Sequence, residues 1–283
     1  MKKLKLIFLI TVLLITAVYL SLFMTGRVER SYDVLPETSI INLGDRKLSL
    51  ENFASEYKPN IFTDPKNEKQ KILWTWYEVV ENKDSYDIVY YNCWENEKNP
   101  YKSFDFIYKI FRVAYFGYPL YDIEYILIKV NKQNGKIVRC NFETSIYDNY
   151  NQKVVKHYLS ELTNIDSLQF QETIINKDEK RIVESHIYNY KNDTKKISLG
   201  IKTWNHMLCA VHNSNASRFS KLCNSDILYL NNSDYKKYKF CRKSQSEHLT
   251  KDNFLHIIGI ATILFGIFIS PILIKKRSPS NYS

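Results

Sequence analysis

"YDIEYILIKVNKQNGKIVRCNFET", Tyr121 to Thr144, is the stretch whose reading decides the fold. Two runs rich in β-branched and aromatic residues flank Asn134-Gly135, a dipeptide suited to a type I′ hairpin turn because both central positions need positive φ. That turn sets Gln133 opposite Lys136, Val130 opposite Arg139, Ile128 opposite Asn141 and Ile126 opposite Glu143. One face then carries Tyr125, Leu127, Val138, Cys140 and Phe142 and is the expected core. The other carries Ile126, Ile128 and Val130 beside Asp122, Glu124, Arg139 and Glu143. A type I turn with a bulge would slip the pairing and scatter the acids.

Working outward, "ILWTWYEVV" (Ile72 to Val80) and "YDIVYYNCW" (Tyr86 to Trp94) read as a hairpin across a polar "ENKDS". "SFDFIYKIFRVAYFGYP" (Ser103 to Pro119) reads as an amphipathic helix. Phe104, Ile107, Tyr108, Phe111 and Tyr115 fall on one side, and Asp105, Lys109 and Arg112 on the other. Ser103 suits its cap, and Gly117 with Pro119 its stop. Beyond the hairpin, "VVKHYLSEL" (Val154 to Leu162) reads as a short helix with Val155, Tyr158, Leu159 and Leu162 inward. "SLQFQETII" and "RIVESHIYNY" form a further hairpin across "NKDEK". "SLGIKTWNHMLCAV" (Ser198 to Val211) fits a strand or a short helix, and "DILYL" (Asp226 to Leu230) a closing strand. Residues 26–70 read as a polar stalk that packs onto the domain, with Leu35-Pro36-Glu37-Thr38 as a turn. The expected class is α+β, a mostly antiparallel sheet with a few packed helices, flanked by one transmembrane helix at each end.

The flanking helices come from two apolar runs. Leu6 to Thr25 is uncharged over 20 residues, a helix of about 30 Å, the thickness of the hydrocarbon core. No small-residue cleavage site follows it, so it reads as an uncleaved signal anchor. Phe254 to Ile274 reads as a second span. Lys2, Lys3 and Lys5 at one end, and Lys275, Lys276 and Arg277 at the other, place both termini in the cytoplasm. The expected order is an anchor at 1–25, a stalk at 26–70, an extracytoplasmic domain at 71–253, a span at 254–274 and a cytoplasmic tail at 275–283. The protein is then a multi-pass protein of the cell membrane, with the bilayer as a partner.

The net charge is +10. The densest basic run, Tyr235 to Lys243, adjoins the second span and suits anionic lipid or an anionic envelope polymer. No recognisable module supports nucleic-acid binding. Cys93, Cys140, Cys209, Cys223 and Cys241 contain no C-x-x-C pair, so a zinc ribbon is unsupported. One or two disulfides are expected outside the cytoplasm, with Cys140 left free in the core. Asn192, Asn215 and Asn231 head glycosylation sequons.

With 7 glycines and no P-loop or G-x-G-x-x-G, nothing cradles a phosphate. No G-x-S-x-G elbow is present. Cys209 follows His206 by three residues, a spacing that does not itself bring a nucleophile to its base. No residue is assigned a catalytic role. Two constellations remain. Trp74, Trp76, Trp94 and Trp204 offer aromatic faces for stacking on a ligand. Asp122, Glu124, His186 and His206 offer the oxygen and nitrogen donors of a divalent metal site. The expected function is ligand binding or envelope interaction by the extracytoplasmic domain, with no cofactor. The alternative is a membrane-anchored metal-dependent hydrolase using the second constellation.

Overall fold

The protein is known from a computed structural model that describes residues 32–64, 71–95, 122–146, 155–165, 169–189, 196–219, 221–223 and 225–238, with Phe8, Thr11, Val12 and Asp105 besides. Residues Tyr32–Tyr235 make one compact unit, and Met1–Ser31 with Lys236–Ser283 a second.

The architecture is mostly β, which corrects the α+β expectation. An eight-stranded sheet runs β10 (Arg181–Asn189), β9 (Gln169–Asn176), β8 (Tyr158–Thr163), β7 (Ile137–Thr144), β6 (Asp122–Asn131), β5 (Ser85–Trp94), β4 (Ile72–Glu81) and β14 (Ile227–Tyr229). It is antiparallel except where β14 joins β4. A four-stranded sheet runs β12 (Leu208–Ala210), β11 (Ser198–Ile201), β3 (Asn60–Thr63) and β13 (Lys221–Cys223), and β1 (Ile40–Leu43) pairs with β2 (Arg46–Ser49). The helices among the described residues are short, α1 (Leu50–Tyr57) and α2 (Asn232–Tyr238). None is long and apolar enough to cross a membrane. That finding corrects the flanking transmembrane helices, and with them the two-span placement in a cell membrane with an extracytoplasmic domain and cytoplasmic termini. The segments read as spans, 6–25 and 254–274, lie outside the described residues apart from Phe8, Thr11 and Val12. The helix expected from Ser103 to Pro119 also lies outside them, apart from Asp105, which is helical.

The deciding hairpin forms, in the slipped register. Asn131 Oδ1 accepts from the backbone N–H groups of Gln133 (2.9 Å) and Asn134 (3.2 Å). Gly135 takes φ +65°, and Asn131 N–H donates to Lys136 O at 2.9 Å. The loop is thus longer than two residues, and the pairing jumps from Lys129↔Arg139 to Val130↔Ile137. Val138 is left as the bulged, exposed residue. Every later residue of β7 changes face: Ile126 now opposes Phe142, and Ile128 opposes Cys140. The expected core of Tyr125, Leu127, Val138, Cys140 and Phe142 is therefore split between two faces. Ile126, Ile128, Val130, Cys140 and Phe142 form the buried inner one.

This inner face is the floor of the core. Tyr86, Ile88, Tyr90 and Trp94 extend it across β5, and Leu199, Ile201 and Leu208 of the smaller sheet meet it in the same cluster. Helix α1 lies in that layer. Ser49 caps it, its Oγ accepting from Asn52 N–H at 3.2 Å. Leu50, Phe53 and Ala54, spaced three and four apart, are buried, and Tyr90 Oη donates to Ala54 O at 2.6 Å. The segment read as a stalk thus supplies three strands and a helix to the core.

Strand β8 replaces the expected short helix. Its burial alternates, with Tyr158, Ser160 and Leu162 inward. It lies between β7 and β9, whose free edges it completes. Cys93, Cys140, Cys209 and Cys223 are free thiols, which corrects the disulfide expectation for the described cysteines. Two sequon asparagines are committed to local structure. Asn215 Nδ2 donates to Ala210 O and its Oδ1 accepts from His212 N–H, both at 2.9 Å. Asn231 holds Asp234 through both side-chain atoms at 2.8 Å.

Candidate functional site

Two places in the fold gather chemistry: a buried polar cluster at one end of the large sheet, and the open edge of β10.

The buried cluster is built by register. Asp122 opposes Trp94 and Glu124 opposes Asn92, so both acids point inward with the core of β6. Each is 1% exposed. Above them the connection between β11 and β12, "KTWNHM" (Lys202–Met207), is closed by Lys202 N–H to Met207 O at 2.8 Å. Its residues Thr203 to Met207 are buried. His206 takes φ +61° there, a left-handed conformation that costs a side-chain-bearing residue about 1–2 kcal/mol. The strain is offset by what the conformation permits. His206 Nδ1 lies 2.5 Å from Asp122 Oδ2, and its ring stacks on Trp94 with centroids 4.6 Å apart and planes 5° apart. An ionised carboxylate only accepts, so the ring N–H is the donor.

The same loop is held twice more. Lys202 Nζ donates to Ser145 O at 2.6 Å, and Asn205 Nδ2 stands 3.3 Å from His157 Nε2. His157 Nδ1 meets Glu143 Oε2 at 2.8 Å, and Lys177 Nζ donates to Glu143 Oε1 at 2.6 Å. The register slip carried Glu143 to the outer face, so it serves this second pair and not the group around Asp122. Arg139, also on the outer face, pairs with Glu161 at 3.4 Å.

The predicted metal constellation is half assembled. Asp122 and His206 meet, and Glu124 lies two residues along the same strand. His186 sits on β10, four strands from β6, about 19 Å at the usual strand spacing. There it stands 3.8 Å from Glu184. Among the described residues no three His, Cys, Asp or Glu side chains are placed to hold a metal ion. Nor does Asp122–His206 have the outlet of a catalytic dyad, since a general base must reach the proton it abstracts and this imidazole is buried against Trp94. The nearby Cys93 thiol is pushed well up by burial, with the charge of Asp122 adding to the shift, so it is held protonated and is no activated nucleophile.

The four tryptophans do not share a platform. Trp74 and Trp76 lie on the outer face of β4 and pack edge to face at 5.2 Å. Trp94 is wholly buried on the inner face, and Trp204 packs with Val155 and Met207. Tyr235, first in the basic run, is buried, and residues 239–243 of that run lie outside the described residues.

The second place is one that sequence reasoning missed. β10 is nine residues long, ends the large sheet among the described residues, and is exposed along most of its length; its last residue, Asn189, accepts from Asn213 N–H at 3.2 Å. Ile182 is 65% and Ile187 71% exposed. A bulge between Ile182 and Glu184 makes Ile182 and Val183 share one position against β9. The inner side of β10 then carries Arg181, Glu184, His186 and Tyr188, and the outer side Ile182, Ser185 and Ile187. The signal was the apolar pattern of "RIVESHIYN", which falls on both sides and so names no single buried face. The chain matches no protein-family model, no characterised protein and no solved structure.

Proposed function

We propose that this protein is a binding domain that takes an extended polypeptide segment as an added strand along β10, and that the Asp122–His206 pair serves the scaffold and not a reaction. The observation that carries this reading is an edge strand of nine residues bearing Ile182 and Ile187 in water. An edge presents unpaired backbone N–H and C=O groups, and proteins ordinarily blunt such edges by shortening, charging or bulging them; β10 carries Arg181, Glu184 and a bulge, yet keeps nine residues and two exposed isoleucines. The opposite edge, β14, is blunted in that way, at three residues. Along β10 a partner segment would gain main-chain hydrogen bonds, and contact with the two isoleucines would select its side chains.

Selection from a display library of random heptapeptides tests the reading, run against the full chain and against Ile182→Lys/Ile187→Lys. Both positions are exposed, so the double variant keeps its core. Enrichment of β-branched and aromatic peptides by the wild type, lost in the variant, is the expected result. Equal enrichment by both proteins, or none by either, rejects it.

A further inference from the structure

We infer that the strand received by β10 is β10 of a second copy of this chain, running antiparallel about a two-fold axis through Ser185. The inference rests on the strand-edge reading and adds the partner's identity. Its basis is self-complementarity on both sides of the strand. A two-fold axis makes each contact occur twice, so the strand must match its own reverse. With Ser185 against Ser185, Glu184 of one copy opposes His186 of the other. The bulge places Ile182 and Val183 in a single position, and that position opposes Ile187. One step further, Arg181, which pairs with Glu179 of its own chain, opposes Tyr188, one face of whose ring is stacked on His212. Acid meets imidazole on the inner side, and isoleucine meets isoleucine on the outer.

The bulge therefore sets the match. Without it Ile187 would face Val183 alone, and Arg181 would face Asn189. Moving the axis to His186 sets the two imidazoles against each other and Glu184 against Tyr188, which loses the acid–imidazole pairing. The two eight-stranded sheets become one continuous sheet. The exposed isoleucines are then covered by their own counterparts.

Sedimentation velocity of the full chain over a concentration series tests this. The wild type is expected to pass from monomer to dimer. Glu184→Lys removes the carboxylate that accepts from the imidazole in both cross-strand pairs and should weaken the dimer about tenfold. Glu184→Lys/His186→Glu sets an ammonium against a carboxylate in both pairs and should recover dimerisation. A foreign strand gives no such rescue. A wild type monomeric throughout, a dimer indifferent to Glu184→Lys, or a double variant no better than the single one overturns the inference. In each of these cases the heptapeptide selection separates the two ideas. Peptide capture that still depends on Ile182 and Ile187 leaves the strand-edge reading standing, and its absence removes both.

Discussion

At the residue scale, the acids that open β6 answer to burial. Asp122 and His206 are nearly inaccessible and 2.5 Å apart, so removing one member strands the other in the core. Asp122→Ala should cost about 3–5 kcal/mol, read as a lower urea midpoint at unchanged slope. Glu172 should behave oppositely. Burial raises its carboxyl above the usual range, with Glu184 adding to this, against the lowering effects of the Ser160 hydrogen bond, Lys202 and His186. A raised folded-state pKa means that its contribution to stability is present below the unfolded carboxyl range and is lost as pH rises through the folded value. Glu172→Gln keeps an oxygen to accept from Ser160 Oγ, 2.7 Å away, and carries no buried charge. It should therefore stabilise the protein at pH 7, with the advantage shrinking toward pH 4. Urea midpoints that do not converge at acid pH would contradict this. Asp122 and His206 were both visible in the sequence as chemistry-bearing residues. Their meeting was not, because it joins positions 84 residues apart, on a strand of the large sheet and a loop of the smaller one.

At the element scale, hairpins were legible where apolar alternation and turn residues agreed, as in β4–β5 and β9–β10. They were misread where two structures share one signal. Asn134-Gly135 serves a two-residue turn or a longer bulged loop equally well, and only the surrounding contacts choose. Here the choice comes from the β1–β2 turn, which docks on the β6–β7 turn. Gly44 N–H donates to Lys132 O at 2.7 Å, and Tyr57 Oη donates to Gly135 O at 2.7 Å. A Cβ on Gly44 would stand 2.8 Å from the backbone oxygen of Gln133, and one on Gly135 would meet Tyr57 Oη at 3.0 Å and Leu43 Cδ2 at 3.2 Å. Both glycines have positive φ. Gly44→Ala should thus cost about 2 kcal/mol or more, since the left-handed conformation alone costs about 1–2 and backbone cannot step aside. Gly135→Ala should cost less, because side chains can yield. Thermal melts that reverse this order would show that the turns do not interlock. The misreading of β8 has a similar cause. Val155, Tyr158, Leu159 and Leu162 match a helical period, but β7 and β9 both need a partner. Ser160, inward and buried, donates to Glu172, so a polar residue completes the alternation that apolar residues alone did not show.

At the scale of the whole molecule, the segment 26–70, read as a polar stalk packing onto the domain, has a described part that packs into the core itself. The described part of that segment is polar on average, yet its few apolar residues are well placed. Ile41, Leu43, Leu50, Phe53 and Ile61 are all buried with the inner face of the large sheet. Strand β3 is central in the smaller sheet, with β11 parallel on one side and β13 antiparallel on the other. Burying a large apolar side chain contributes roughly 1.5–3 kcal/mol, so these five together contribute about 7–15. That is comparable to the whole stability of an ordinary domain, about 5–15 kcal/mol. A fragment of residues 71–235 should accordingly lack a cooperative melt and a near-UV circular dichroism signal. A fragment of residues 32–235 should show both. Cooperative unfolding of the shorter fragment, with native near-UV bands, would mean that β11 and β13 stand without β3 and that Phe53 and Leu50 only decorate a core complete beneath them. The hydrogen bond from Tyr90 Oη, at the centre of β5, to Ala54 O argues against that outcome. Without α1 this hydroxyl loses its acceptor in the middle of the core, and leaving a buried polar group unmatched costs about 1–3 kcal/mol.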